Sequence, residues 1–133
     1  MSNIYYLRNN QDPISFSVQI GTIGNPATSV TLRRSGNSVK PITVTPDPQT
    51  FNIPNTALGV SADIVGATLV VTVLISFSGQ DDLDQAFANL FLSVTLNDGL
   101  DGTQSYTLLS TEKTLYASKK IIVAVKAIKL QTN

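Results

Sequence analysis

Apolar and polar residues alternate with a period of two along most of this chain, and this pattern restricts the fold more than any other feature. The clearest run extends from Gly66 to Ser78, where all odd positions from Ala67 to Phe77 are apolar and most even positions are polar. Successive side chains of a β-strand point to opposite faces of its sheet, so the run predicts a strand with one buried face. Val70 and Leu74 add apolar side chains to the second face. They favour a strand near the centre of its sheet, or one that a partner partly covers.

Shorter runs with the same period predict further strands. Pro41 lies inside one of them and cannot donate to a sheet ladder, which predicts an edge strand or a bulge there. Pro54 is expected to end another short strand. The run at 121–125 is rich in β-branched residues and predicts a strand; a terminal helix is the alternative, because apolar residues within 121–128 also fit helical spacing. The predicted strands lie at 14–20, 30–32, 39–44, 51–53, 67–77, 90–96, 106–108 and 121–125.

Turn residues separate these runs. The sequence Asn97-Asp98-Gly99 tolerates positive φ and predicts a hairpin, and the acids and alanines of 81–89 predict one short helix. About eight or nine short strands with turns roughly every 8–12 residues are typical of an all-β fold. We therefore predict a single-domain antiparallel β-sandwich over residues 1–133, of jelly-roll or Ig-like type, with at most one short helix near 81–89. Residues 1–12 are polar enough to form a flexible arm or a strand exchanged with a neighbour.

The residue types on which most enzymes depend are missing. The 133 residues include no His and no Cys, which excludes Ser-His-Asp triads, thiolate zinc sites and cysteine nucleophiles. We therefore predict that the chain is not an enzyme. Nine Lys and Arg residues balance nine Asp and Glu residues, so no overall field attracts nucleic acid or an anionic membrane. The longest apolar-rich stretch, 67–77, is too short for a membrane helix and argues against membrane insertion.

Two acidic loops, 79–89 and 97–104, provide the candidate binding site. Carboxylate, amide and backbone carbonyl oxygens on loops are the ligands that Ca²⁺ prefers, although the spacing here is not that of an EF-hand. The competing interpretation is that these acids cap a short helix and build turns. No other cofactor is predicted. The candidate calcium ligands are Asp81, Asp82, Asp84, Asp98 and Asp101.

Lysines are concentrated near the C-terminus. We expect them to guard a sheet edge against pairing with another sheet, or to form a basic edge that meets the acidic loops of a second copy. A nucleic-acid site would need stacking aromatics between such lysines, and a glycan site usually offers Trp or Tyr rings, so neither partner has support. The lysines are Lys113, Lys119, Lys120, Lys126 and Lys129.

Low charge, at 14% of residues, together with Ser/Thr/Asn-rich strands, favours a non-enzymatic structural protein. Such a β-sandwich would be a building block of a phage virion, a tail-like apparatus or a surface assembly, and would associate with itself or with other structural proteins. The arm, Met1 to Asp12, or the C-terminal strand, Lys119 to Leu130, would add to a neighbour's sheet. The alternative is an adhesive sandwich that binds a glycan or protein, with Ca²⁺, through loops 79–89 and 97–104. No signal peptide is visible, so we expect cytoplasmic synthesis and incorporation into a virion or an extracellular particle.

Overall fold

The computed structural model describes residues 3–8, 11, 13–34, 38–77, 82–100 and 102–132, which form two packed β-sheets. Two short helices, α1 (Ser61–Ile64) and α2 (Leu83–Asn89), lie between strands. The predicted all-β sandwich is confirmed, with ten strands in the described ranges where eight or nine were expected. The strands are β1 (Asn3–Leu7), β2 (Pro13–Gly21), β3 (Asn25–Arg34), β4 (Ser38–Ile42), β5 (Ile53–Val60), β6 (Thr68–Ser76), β7 (Phe91–Gly99), β8 (Gly102–Thr107), β9 (Lys113–Tyr116) and β10 (Ile121–Thr132).

The larger sheet has six strands in the order β1-β10-β6-β3-β4, with β9 also paired to β10. Residues 121–124 of β10 pair with β9, and residues 128–132 pair with β1. The two short strands therefore follow one another along the edge of β10 that β6 leaves free. The pairing of β1 with β10 is parallel, whereas the other pairs of this sheet are antiparallel. Because β6 lies between β10 and β3, the predicted central position of the 67–77 strand is confirmed.

The smaller sheet has four antiparallel strands in the order β5-β2-β7-β8. Its central strands, β2 and β7, turn alternate apolar side chains toward the larger sheet, as their period of two requires. Phe16, Val94 and Leu96 from this sheet share one buried cluster with Leu69, Ile75 and Ile128 from the other. Burial of this cluster between the sheets is the main source of stability.

The two prolines behave differently. Pro41 lies in β4, the edge strand of the larger sheet, as predicted. Pro54 was expected to end a strand after Ile53, and that expectation was wrong, because β5 begins at Ile53 and continues to Val60. The β5 strand is also an edge, and its pairing with β2 shifts register between Phe16 and Val18. An edge with a bulge tolerates a residue without an N–H group.

Both chain ends differ from the expected arms. Residues 3–7 form β1 instead of a free arm, because Tyr5 and Leu7 alternate with more exposed neighbours and bury their side chains in the core. The C-terminal segment forms β10, a strand and not a helix, as the β-branched run predicted. It is flanked by β6 along 121–129 and by β9 and β1 on its other side. Each terminal strand thus pairs with the other inside one chain.

The helix and hairpin predicted near the acidic residues are both present. The α2 helix covers 83–89, inside the predicted range. Strands β7 and β8 form the predicted hairpin, but Gly99 pairs with Gly102, so the chain reverses after Gly99 and not at 97–99. Asp98 has a φ of 74° and lies where the register shifts, so its left-handed backbone produces a bulge. Among the residues with described positions, no helix is long and apolar enough to cross a membrane.

Candidate functional site

The acids of loop 79–89 are used by the helix that follows them. The Asp82 carboxylate accepts a hydrogen bond from the backbone N–H of Gln85, 3.2 Å away, and Asp84 lies in the first turn of α2. A carboxylate at this position satisfies an amide that has no partner within the helix, and it interacts favourably with the positive end of the helix dipole. Asp81 lies outside the described residues. The described part of the loop therefore has the geometry of a helix cap.

The two acidic loops do not meet. The α2 helix precedes the start of β7, whereas Asp98 lies near the opposite end of that strand. Nine residues of β7 separate the ends, about 27 Å at a rise of about 3.4 Å per residue. The structure thus brings Asp82 and Asp84 together but not with Asp98, while Asp101, like Asp81, is outside the described residues. Within the ranges that are described, no three acidic side chains are grouped closely enough to hold a metal ion.

The carboxylate of Asp47 also accepts hydrogen bonds from nearby backbone amides. The Oδ1 atom of Asp47 accepts hydrogen bonds from the backbone amides of Gln49 and Thr50, at 2.8 and 3.1 Å. These amide donors hold the pKa of Asp47 below its ordinary value, because they favour the ionised carboxylate. Asp47 therefore shapes a turn, in the same way as Asp82 shapes a helix end.

Replacing Asp82 by alanine should destabilise the fold modestly. We expect a loss of about 1 kcal/mol in the free energy of unfolding, the usual cost of removing a helix N-cap. Urea denaturation monitored by circular dichroism measures it. Asp84→Ala is the matched control, since it removes an acid from the same helix without removing the capping hydrogen bond. Equal losses in the two variants would contradict the capping role of Asp82.

A buried ion pair is the feature that the sequence interpretation missed. Lys126 was expected to guard an edge, but its side chain is 1% exposed, on the core face of β10. Its Nζ atom lies 2.8 Å from Oε1 of Glu112 and donates to the carbonyl oxygen of Thr107, 2.9 Å away. Glu112 Oε1 also accepts from the backbone N–H of Leu109 at 2.7 Å. The pair therefore fastens β10 to the segment in which the chain crosses from the smaller sheet to the larger.

The signal for this pair was present in the sequence. Lys126 occupies an even position in β10, in phase with Ile122, Ala124, Ile128 and Leu130, all of which are buried. Because side chains alternate between the two faces of a strand, a lysine in phase with core residues points into the core. A buried ammonium there needs a carboxylate or carbonyl partner. The sequence did not identify the partner of Lys126, because Glu112 lies fourteen positions away and is brought next to it by the tertiary structure.

The outward side of the larger sheet is the other notable surface. Cross-strand register places Val123, Leu74 and Ala27 in one row, with Val125, Thr72 and Ser29 in the next. Four such rows contain no charged residue. We call this surface the outer face; it comprises Asn25, Ala27, Ser29 and Thr31 of β3, Val70, Thr72, Leu74 and Ser76 of β6, and Ile121, Val123, Val125 and Ala127 of β10.

Large apolar side chains remain exposed on the outer face. Leu74 is 39% exposed and Val125 is 38% exposed. Tyr116 of β9, paired with Ile121, extends the surface and is 46% exposed. These three side chains are the large exposed apolar groups in this region, and grouped exposed apolar surface is a feature of interaction sites.

Positive charge borders one end of the outer face. Arg33, Thr68 and Lys129 form the row after the last uncharged one, and they line a groove there. Arg34 also lines this groove, but its guanidinium donates to the carbonyl oxygens of Asp63 and Val65 and so caps the end of α1. The charges therefore lie at the border of the outer face and not within it.

Comparisons of this chain with protein-family models, with curated proteins and with solved structures found no match.

Proposed function

We propose that this protein is a non-enzymatic structural building block that associates with further copies of itself through the outer face. The observation that supports the proposal is the set of four adjacent rows without charge, with Leu74 and Val125 exposed at their centre. An ordinary soluble sheet places charged residues on its solvent side, which keeps it monomeric. Here the solvent side carries no charge in four rows and exposes Leu74 and Val125, so burial of these side chains against another copy is favourable.

The size of the outer face sets the expected strength of the contact. Its three strands span about 14 Å, and the seven residues from its first row to its last span about 20 Å. This outline of roughly 300 Å² is smaller than the roughly 800 Å² that each partner buries in a typical stable interface, so we expect a weak contact that dissociates on dilution. Since the outer face lacks charge, two copies also meet there without like-charge repulsion.

Particles built from many copies of one small β-sandwich would use such a block. We therefore propose a phage virion, a tail-like apparatus or a surface assembly as its setting. The low charge of the chain and its Ser- and Thr-rich strands support this proposal, as does the lack of His and Cys for common catalytic arrangements.

Placing a lysine at the centre of the outer face should weaken association. We expect Leu74→Lys to raise the dissociation constant at least tenfold, because a buried unpaired ammonium opposes the contact. Light scattering on a sizing column measures the molar mass as a function of protein concentration. Ile23→Lys is the matched control, since Ile23 is 55% exposed and lies between β2 and β3, outside the rows of the outer face. If both variants associate as the unmodified chain does, the outer face is not the interface.

A further inference from the structure

The β8 strand forms an exposed edge of the smaller sheet. In the sheet order β5-β2-β7-β8 it pairs with β7, and no other described strand pairs with it. Five of its six residues are exposed, and Tyr106 is half-buried. An edge of this kind presents a row of backbone donors and acceptors that another strand can use.

The other sheet edges carry devices that discourage pairing. Lys40 and Pro41 lie in β4, and Pro54 and two register shifts occur in β5. The α2 helix packs on β9, where Lys113 donates to the carbonyl oxygen of Phe87 instead of facing solvent at the edge. Lysine, proline and bulges are the usual means of protecting an edge. The β8 sequence, Gly-Thr-Gln-Ser-Tyr-Thr, contains no charge and no proline.

The β1 strand also lacks charge and proline, but its carbonyl groups are already used. The Tyr106 hydroxyl donates to the carbonyl oxygen of Ile4 at 2.9 Å. The backbone N–H of Leu100 donates to the carbonyl oxygen of Tyr6, also at 2.9 Å. The β7–β8 hairpin thus occupies the β1 edge. Among the described strands, this leaves β8 as the edge that has neither lysine nor proline. One of its outward carbonyl groups, that of Thr107, accepts from Lys126 of the same chain.

Pairing geometry identifies which backbone groups face outward. The N–H of Leu108 donates to the carbonyl oxygen of Leu92 at 2.8 Å, which makes these opposed residues a hydrogen-bonded pair. Alternation along an antiparallel ladder then directs the backbone groups of Gln104 and Tyr106 toward β7, and those of Ser105 and Thr107 away from it. The contact from Lys126 to the outward carbonyl of Thr107 agrees with this assignment. The N–H groups of Ser105 and Thr107 therefore point out from the sheet edge.

We propose that β8 pairs with β8 of a second copy, antiparallel and about a two-fold axis near Ser105, to give a continuous eight-stranded sheet. The proposal rests on the proposed function for its premise that the chain self-associates. In a two-fold interface a residue near the axis lies next to the same residue of the other copy. A charged residue there would be repelled by its own counterpart, and β8 contains no charged residue. In this arrangement Leu100 of one copy lies beside Leu109 of the other, offset by one residue along the strand. These leucines flank β8 and are 41% and 51% exposed.

Proline at position 105 tests this pairing. Ser105→Pro removes the central outward N–H, and Ser105→Ala is its matched control, because both lose the hydroxyl contact with Thr95 at 2.9 Å. We expect proline to raise the dissociation constant of the edge contact at least tenfold and alanine less than threefold, by light scattering. Equal behaviour of the two variants would overturn the proposal.

Amide hydrogen exchange on the unmodified chain gives a second test that needs no substitution. Exchange at Ser105 and Thr107 should slow at least tenfold between dilute and concentrated protein. Fast exchange at both amides at every concentration would overturn the edge pairing.

The two proposed interfaces can be tested separately, because each variant is expected to remove only one of them. If both are used, Leu74→Lys leaves a dimer through β8, Ser105→Pro leaves a dimer through the outer face, and the double variant is a monomer of 14.2 kDa. If only Leu74→Lys lowers the mass, the edge proposal fails and the proposed function stands. If only Ser105→Pro lowers it, the edge pairing stands and the outer face is not an interface. A monomeric unmodified chain would reject both.

Discussion

Replacing Tyr5 by alanine is expected to lower the free energy of unfolding by about 4 kcal/mol. Loss of a fully buried aromatic side chain typically costs about 3–5 kcal/mol, and the Tyr5 side chain is 1% exposed. Its ring packs edge-on against that of Tyr106, with ring centroids 6.5 Å apart. Alanine would leave a cavity between β1 and the β7–β8 hairpin.

The Tyr5 hydroxyl adds hydrogen bonds to this packing. It accepts from the backbone N–H of Gly99 at 2.8 Å and donates to the carbonyl oxygen of Gly102. The ring fits because Gly99 has no Cβ atom, since a Cβ there would lie 2.6 Å from the ring. Tyr5 therefore connects β1 to the turn end of the β7–β8 hairpin.

Equilibrium denaturation of three variants separates these contributions. Tyr5→Phe retains the ring and should cost about 1–3 kcal/mol, the penalty for leaving a buried donor or acceptor without its partner. Tyr6→Ala is the control, because the neighbouring tyrosine is only partly buried, and it should cost less than half as much as Tyr5→Ala. A Tyr5→Ala loss below about 1 kcal/mol would show that β1 is not a fixed part of the sandwich.

Replacing Glu112 by glutamine should cost about 3 kcal/mol of folding stability. Removing one partner of a buried ion pair typically costs about 3–5 kcal/mol, because the other charge stays buried without compensation. The Glu112 side chain is 22% exposed, which places the expected cost at the lower end. Glutamine retains an acceptor for Leu109 and Lys126, so the change isolates the loss of charge. Urea denaturation measures the difference.

Removing the lysine instead should be much less costly. Lys126→Met retains a long apolar side chain in the core, and Glu112 remains partly exposed to water, so we expect a change within about 1 kcal/mol. The double variant, Glu112→Gln with Lys126→Met, should be more stable than Glu112→Gln alone because no charge is then left unpaired. A Lys126→Met cost equal to that of Glu112→Gln would contradict a penalty from buried charge.

The fold could be predicted from the sequence wherever local alternation controls burial. The 67–77 strand, the 121–125 strand and the short helix after Asp82 each follow from a residue pattern that acts over a few positions. Pro54 was misjudged because the tolerance of proline depends on whether its strand is an edge, and strand order is a property of the whole sheet. The pairing of β1 with β10 was missed for the same reason, since parallel pairing joins residues more than a hundred positions apart.

The site was harder to predict than the fold. Acids that are close in sequence suggested a shared metal site, but β7 holds Asp82 and Asp98 at opposite ends. The outer face is assembled from three strands, so the absence of charge across its rows becomes evident only when the register of β3, β6 and β10 is known. Leu74 gave one local signal of it, as an apolar residue on the second face of its strand, and its side chain is 39% exposed.

The molar mass of the unmodified chain as a function of concentration tests the central claim most directly. Light scattering across a hundredfold dilution should show species heavier than 14.2 kDa that dissociate on dilution, because the outer face favours burial against another copy. A mass of one chain at every concentration would contradict the proposal that this protein is a self-associating building block.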